Sequence, residues 1–348
     1  MATLSRITSG FKPVGIPEGP RNTRSEWFLW PALILVVIAL SFAVDNLYWL
    51  QVLVNAFTMV IAAVGLYVTF GLSGQVSLGQ AAFYAIGGYT TGLLVANLGW
   101  QMGPAIIAGT LAGAVVGVGL GVPTLRLKGH YLALATLGFG QVVAMILFNW
   151  TWLTGGATGV RGIVAPLFGT FELVTVREWA IFVGIIAVVA TFIVHRLRYS
   201  TFGRAMQAVR DADVAAAAMG VSLRSVKVLA FTIGATFAAL AGSLNAGVIT
   251  YISPGTYTLI LSVAILSMVI VGGSSSHWGA VIGAFVIVFL PEVLRVVQGY
   301  YMLFYGILLL VIVAYLPGGL WKVITGAGDL VKKALGRKAP VPAEEERS

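Results

Sequence analysis

Between residues 28 and 317 the sequence is a succession of mostly apolar runs, each about as long as a helix must be to cross a bilayer. A span needs roughly 20 apolar residues, because the hydrocarbon is about 30 Å thick and a helix rises about 1.5 Å per residue. Ten runs meet that condition, over 28–46, 52–71, 81–98, 104–124, 131–153, 179–195, 228–248, 258–273, 279–298 and 300–317. They lack the two-residue alternation of a membrane barrel. Lipid offers an open backbone no partner, so helices are the remaining solution. The expected fold class is all-α, a polytopic transmembrane helix bundle of about ten spans. With 59% apolar and 9% charged residues, the composition excludes a water-soluble globular domain, in which charge runs near about 25%.

The 21 Lys and Arg outnumber the 12 Asp and Glu, a net charge of +9. In a soluble protein that balance suits nucleic acid, but here the cations fall between the apolar runs and read as topology signals, with no nucleic-acid partner expected. With the amino terminus inside, four lie in 1–27, two in 125–130, six in 196–227 and six in 318–348. Only Arg161, Arg177 and Arg295 are left for the other side. This asymmetry predicts both termini in the cytoplasm of a multi-pass inner-membrane protein. The expected organisation is a cytoplasmic segment over 1–27, a transmembrane domain over 28–317 and a polar, disordered cytoplasmic tail over 318–348. A cleavable signal peptide ending near Ser41 and Ala43 competes at the amino terminus, but its apolar region exceeds the usual length of about 7–15 residues.

Reactive chemistry is scarce. Cysteine is absent, and His130, His195 and His277 lie far apart in sequence, so no metal site is expected. Secondary carriers keep ionisable groups near the midplane. Here Asp45 sits at a run end, and Glu292 lies three residues before Arg295, within pairing distance on one helical face. No lysine is followed by Ser or Thr, which excludes the phosphate-cradling loop, and no nucleophile elbow, zinc motif or catalytic carboxylate pair occurs. The chain reads as a non-enzyme without a cofactor. If ATP drives it, another subunit hydrolyses the ATP.

Two polar stretches stand out. Gly71-Leu72-Ser73-Gly74-Gln75-Val76-Ser77-Leu78-Gly79-Gln80 joins two apolar runs without a charge, and such a turn persists at membrane depth only when buried in protein or lining a cavity. Gly272 to Gly279 echoes it at a second boundary; a structural repeat and a simple Gly-Ser turn both account for the echo. Glycines at 109, 113 and 117 mark close helix packing.

The long loop 196–227 contains G-R-A-M-Q-A-V-R-D-A-D-V-A-A-A-A-M from Gly203, rich in helix formers, with Gly220 as a stop and Ser222 as the cap of the next helix. A helix over about 203–220 is predicted outside the membrane. It has a smooth face of Val209, Ala216 and Gly220, flanked by Ala205 and Met219, and charges at Arg204, Arg210, Asp211 and Asp213. Docking into a partner's groove and lying on anionic lipid both fit this composition.

Six blocks in order resemble the permease subunits of hydrophobic amino-acid ABC importers: G-L-S-G-Q-V-S-L-G-Q-A-A-F from Gly71, R-L-K-G-H-Y-L-A-L-A-T-L-G-F from Arg126, T-G-G-A-T-G-V from Thr154, F-G-R-A-M-Q-A-V-R-D-A-D-V-A-A-A-A-M-G-V from Phe202, I-S-P-G-T-Y from Ile252, and V-G-G-S-S-S-H-W-G-A-V-I-G-A with L-P-E-V-L-R from Val271 onward. The chain is similar to the branched-chain amino-acid permease family over about residues 50–317, and to its M-type half more than its H-type half. The resemblance implies a larger-bundle, type II-like permease working with a homologous H-type permease subunit, two cytoplasmic ATPase subunits and an extracytoplasmic solute-binding protein. It implies that 203–220 is the coupling helix seated in an ATPase cleft, with Arg204, Ala208, Arg210, Asp211, Ala216 and Gly220 at the matching positions. Gln75, Ser77, Gln80, Tyr84, Ser253 and Ser262 are the candidates for lining the path. Ser274 to Trp278 departs from the family's usual Gly-Ser-rich turn. Urea or short amides are the alternative cargo, and a stand-alone carrier or channel the alternative class.

Overall fold

The computed structural model describes residues 24–124, 127, 129–163, 167–168, 171–172, 175–248, 251–294, 306–307, 310 and 318–334. Within them lie α1 (Arg24–Ala43), α2 (Leu47–Tyr67), α3 (Gln80–Leu98), α4 (Met102–Thr124), α5 (His130–Asn149), α6 (Val176–Tyr199), α7 (Thr201–Asp211), α8 (Asp213–Ala218), α9 (Leu223–Ala246), α10 (Leu259–Gly272), α11 (His277–Leu294) and α12 (Gly319–Ala334). Seven helices among the described residues are long and apolar enough to cross a membrane: α2, α4, α5, α6, α9, α10 with its preceding turn, and α11. The apolar part of α1, Phe28–Ala43, is shorter. The expected tenth span, 300–317, lies almost wholly outside the described residues, as does the amino-terminal segment up to residue 23.

The bundle is built around α2, which is buried along nearly its whole length. Asn46 caps its start, its side chain accepting from the Tyr48 N–H at 2.9 Å. On one side α2 packs against α9, which also carries α3 and α4; on the other it meets α6, α10 and α11, with α1 outside α6. The glycine stripe of α4 is what lets α4 and α9 close up. A Cβ on Gly113 would collide with Ala239, and one on Gly117 would come within 2.7 Å of the Ala235 Cβ. In α5, by contrast, Tyr131, Leu134, Val142 and Met145 are exposed.

The two ends of the bundle differ. At one, the loops after α5 and α9 are tied by a two-residue antiparallel ladder, Val160 opposite Ile252 and Arg161 opposite Tyr251. A second two-residue pair joins Leu167–Phe168 to Phe171–Glu172. Also at this end, Arg177 pairs with Asp45 at 3.0 Å, and α6 begins with a capping box of Thr175 and Glu178. Glu292, expected to meet Arg295, accepts a hydrogen bond from the Tyr48 hydroxyl, and Arg295 lies outside the described residues. The opposite end carries α7 and α8, between the last turn of α6 and the first of α9.

Three expectations need correction. The segment 203–220 is two helices, because the chain breaks at Ala212, with φ −157° and ψ 89°. Aspartate is a weak helix former, and two of them flank the break; Asp213 instead opens α8, where an acid meets the positive end of the helix. The start is also earlier, since the Ser200 side chain accepts from the Gly203 N–H at 3.1 Å. Finally, the tail expected to be disordered from 318 begins with α12, launched by Gly319 at φ +70°.

Candidate functional site

The end of α2 shows why the Gly71–Gln80 stretch carries polar residues. The helix loosens into a π-helical turn over Val68–Leu72, then leaves helical geometry until α3 starts at Gln80. That exposes carbonyls at the end of α2 and amides at the start of α3 to an interior without bulk solvent, and each needs a partner. The turn itself serves the carbonyls, Gly74 N–H donating to Phe70 and Gln75 N–H and Ser73 Oγ to Thr69, while neighbouring helices serve the amides and tie the turn in place. Leu78 N–H donates to Thr136 Oγ1 of α5 at 2.9 Å, Ala81 N–H to Ser262 Oγ of α10 at 2.9 Å, and Thr69 Oγ1 to the Ala230 carbonyl of α9 at 3.2 Å. Gln75 Nε2 donates to Ser73 Oγ at 2.7 Å and to the Lys227 carbonyl of α9 at 3.2 Å.

Four of the six path candidates, Gln75, Ser77, Gln80 and Ser262, therefore meet around the start of α3, all buried. Ser77 Oγ accepts weakly from Gly79 N–H at 3.4 Å. Gln80 has no partner for Oε1 among the described residues. Tyr84 lies one turn further along α3, its ring 5.9 Å from that of Tyr257 and its hydroxyl near Thr58 and Asn245. Ser253 is not part of this group: it follows the Tyr251–Ile252 strand at the other end of the bundle. Thr69, Thr136 and Asn245 escaped the sequence reading because each is one of several scattered polar residues inside an apolar run, with no local signal of its partner.

Beneath the broken turn lies the α7–α8 segment, with a cavity of about 250 Å³ between them that Gln75, Arg210, Asp213 and Lys227 help to line. Gly203, Met206, Val209 and Ala216 face the body and are buried. The face turned away carries Phe202, Ala208, Val214 and Met219, with Arg204 and Asp211 beside it. The smooth face expected from Val209, Ala216 and Gly220 is thus the packed side at Val209 and Ala216. Arg204 caps the end of α6, donating to the Tyr199 carbonyl at 2.8 Å. Arg210, with its side chain still 36% exposed, reaches toward the body: its terminal nitrogen donates to the Gly71 carbonyl at 2.6 Å and Nε to Asp211 at 2.8 Å. Gly220, at φ +84°, turns the chain toward Ser222, whose side chain caps α9, and Lys227 lies 4.0 Å from Asp213.

Two of the three histidines, 82 residues apart in sequence, meet here, His195 Nδ1 lying 3.3 Å from His277 Nε2. Trp30, Tyr67, Tyr199 and Trp278 surround the pair. Among the described residues no group of three or more His, Cys, Asp or Glu is placed to hold a metal ion.

The family described as "Branched-chain amino acid transport system / permease component" matches residues 48–313. The chain is 36% identical over 331 residues to the high-affinity branched-chain amino acid transport system permease protein LivM of Escherichia coli strain K12, covering 88% of this chain and 77% of that one. It is 28% identical over 236 residues to the probable branched-chain amino acid transport permease protein LivM of Methanocaldococcus jannaschii, 62% and 67% of the two chains. Over 220 residues it is 28% identical to the autoinducer 2 import system permease protein LsrC of Salmonella paratyphi B, 60% and 61% of the two chains. No solved structure matches it.

Proposed function

The chain belongs to the permease family of branched-chain amino acid transport systems, and from that premise we propose that it forms one half of the translocation path of an ATP-driven importer whose motor grips α7 and α8. It is a permease and not an enzyme: it carries no nucleotide-binding motif of its own, so bond cleavage belongs to partner subunits. The observation that carries the reading is the α7–α8 segment, held against the bundle by Met206, Val209 and Ala216 while Phe202, Ala208, Val214 and Met219 face away. An apolar, shallow helical face of this kind suits a groove on another protein.

In the proposed assembly a homologous permease subunit completes the path, two ATPase subunits sit under the α7 end, and a solute-binding protein delivers a branched-chain amino acid at the strand end. Both termini face the cytoplasm, and about ten spans in a larger-bundle, type II-like arrangement cross the inner membrane. The cation distribution supports this orientation, since the α7 end carries Arg196, Arg198, Arg204, Arg210, Arg224 and Lys227. Selectivity rests mainly on the binding protein, because the polar groups around Gln80 are few and largely engaged within the chain. Lipid surrounds the bundle and no nucleic acid takes part.

The experiment is uptake of radiolabelled leucine into proteoliposomes holding this chain with its partner permease, the ATPases and the binding protein. Uptake that requires ATP and every subunit is expected. Leucine flux by this chain alone, without ATP, would contradict the reading.

A further inference from the structure

The sequence places Arg204 and Arg210 alike, as two cations on one docking helix; the structure separates them. Arg204 stays on the segment, capping α6, whereas Arg210 leaves it and crosses to the Gly71 carbonyl, 139 residues away in sequence. That carbonyl belongs to the π-helical end of α2, where the last carbonyls have no intrahelical donor and the helix dipole is negative. A guanidinium is the side chain best suited to such an end, and its hydrogen bond at 2.6 Å is charge-assisted. Asp211 fixes the fork from behind through Nε at 2.8 Å. Gly74, at φ +71°, lets the turn lie against the arginine stem: a Cβ there would come within 2.8 Å of Arg210 Cγ.

We propose that Arg210 is a positioning residue that transmits displacement of α7 to the broken turn between α2 and α3, and that it is not part of the face that meets the ATPase. The path onward is continuous. The turn is held to α9 by Gln75, to α5 by Leu78 on Thr136, and to α10 by Ala81 on Ser262. A shift of α7 drawn through Gly71 therefore reaches the start of α3, where the buried path candidates gather. The cavity of about 250 Å³ beside Arg210 gives the link room to move. This rests on the reading that α7 and α8 dock a motor, and the experiment separates the two.

The full complex is reconstituted with wild-type chain, Arg210→Ala, Arg210→Lys and Arg204→Glu, and three quantities are read: ATPase co-purification, ATP hydrolysis, and leucine taken up per ATP. Arg210→Ala is expected to keep co-purification and hydrolysis within about twofold while uptake per ATP falls about tenfold, the size of one coupling interaction. Arg210→Lys, which keeps a charged donor for the carbonyl, should recover part of that loss. Arg204→Glu should show the reverse pattern, weaker co-purification with an unchanged ratio. Unchanged uptake per ATP in Arg210→Ala, or loss of co-purification as its main effect, would overturn the proposal. If Arg210→Ala fails to assemble, Arg210→Gln is read instead, and a wild-type ratio there also overturns it. Absence of ATP-dependent uptake by the wild-type complex would instead defeat the docking reading, and this proposal with it.

Discussion

Two turns at the α7 end invite comparison, one between α2 and α3 and one between α10 and α11. Both join helices of the bundle, and both are touched by the chain that leads into or forms α7: Arg210 reaches the first, and His195, in the last turns of α6, reaches His277 of the second. They are held differently. The first leaves helical geometry for Ser73 to Gly79 and is suspended on hydrogen bonds from α5, α7, α9 and α10. The second is close-packed. Gly273 turns at φ +112°, and a Cβ on Gly272 would collide with the Gly279 carbonyl. Hydrogen-bonded backbone beside a cavity can shift by exchanging partners, whereas backbone packed on backbone has no such freedom. The comparison teaches two ways of holding a turn: the α10–α11 turn rests on backbone packing, and the α2–α3 turn rests largely on hydrogen bonds, with Gly71 close to the Ser274 carbonyl where the two turns meet.

If so, substitutions in the two turns should differ in size and in what they impair. Gly272→Val should be the most damaging, costing about 3 kcal/mol by overpacking backbone that cannot yield; thermal unfolding in detergent by size-exclusion fluorescence checks it, and a stable, fully assembled variant would break the packing reading. Ser262→Ala should cost about 2 kcal/mol, because the buried Ala81 N–H loses its acceptor, and the same assay measures it. Gly74→Ala should cost about 1 to 2 kcal/mol for the left-handed backbone, with uptake per ATP falling further than stability does, since the added methyl presses on the Arg210 stem. The smallest stability effect is expected for Arg204→Glu, within about 0.5 kcal/mol on an exposed helix, even though its co-purification with the ATPase drops.

Much of the bundle was legible because apolar runs of bilayer length have few other solutions. Gly220 as a stop and Ser222 as a cap were equally plain, since each is set by local backbone chemistry. The uncharged turn after Gly71 announced itself by composition, and burial of Gln75, Ser77 and Gln80 follows from it. What escaped depends on phase or on distance in sequence. In an alanine-rich segment every face looks smooth, so the packed stripe of Gly203, Met206 and Val209 could not be told from the outward one, nor Arg210 from Arg204. The His195–His277 meeting joins residues with no local signal linking them. The helix over Gly319–Ala334 was hidden by the polar, charged composition of its last turn and of the tail after it, although Leu320, Val323, Ile324, Ala327 and Val331 keep a helical period.

The account turns on α7 and α8 being where force enters, and the absence of native cysteine makes that directly measurable. Met219→Cys places a single thiol on the outward face and Tyr251→Cys a single thiol at the opposite end of the bundle. A benzophenone maleimide coupled to each thiol and photolysed in the complex during ATP turnover, so that no thiol is needed on the partner, is predicted to join Met219→Cys to an ATPase subunit and to leave Tyr251→Cys unjoined to it. Cross-linking to the ATPase from Tyr251→Cys, or none from Met219→Cys while leucine uptake proceeds, would contradict it.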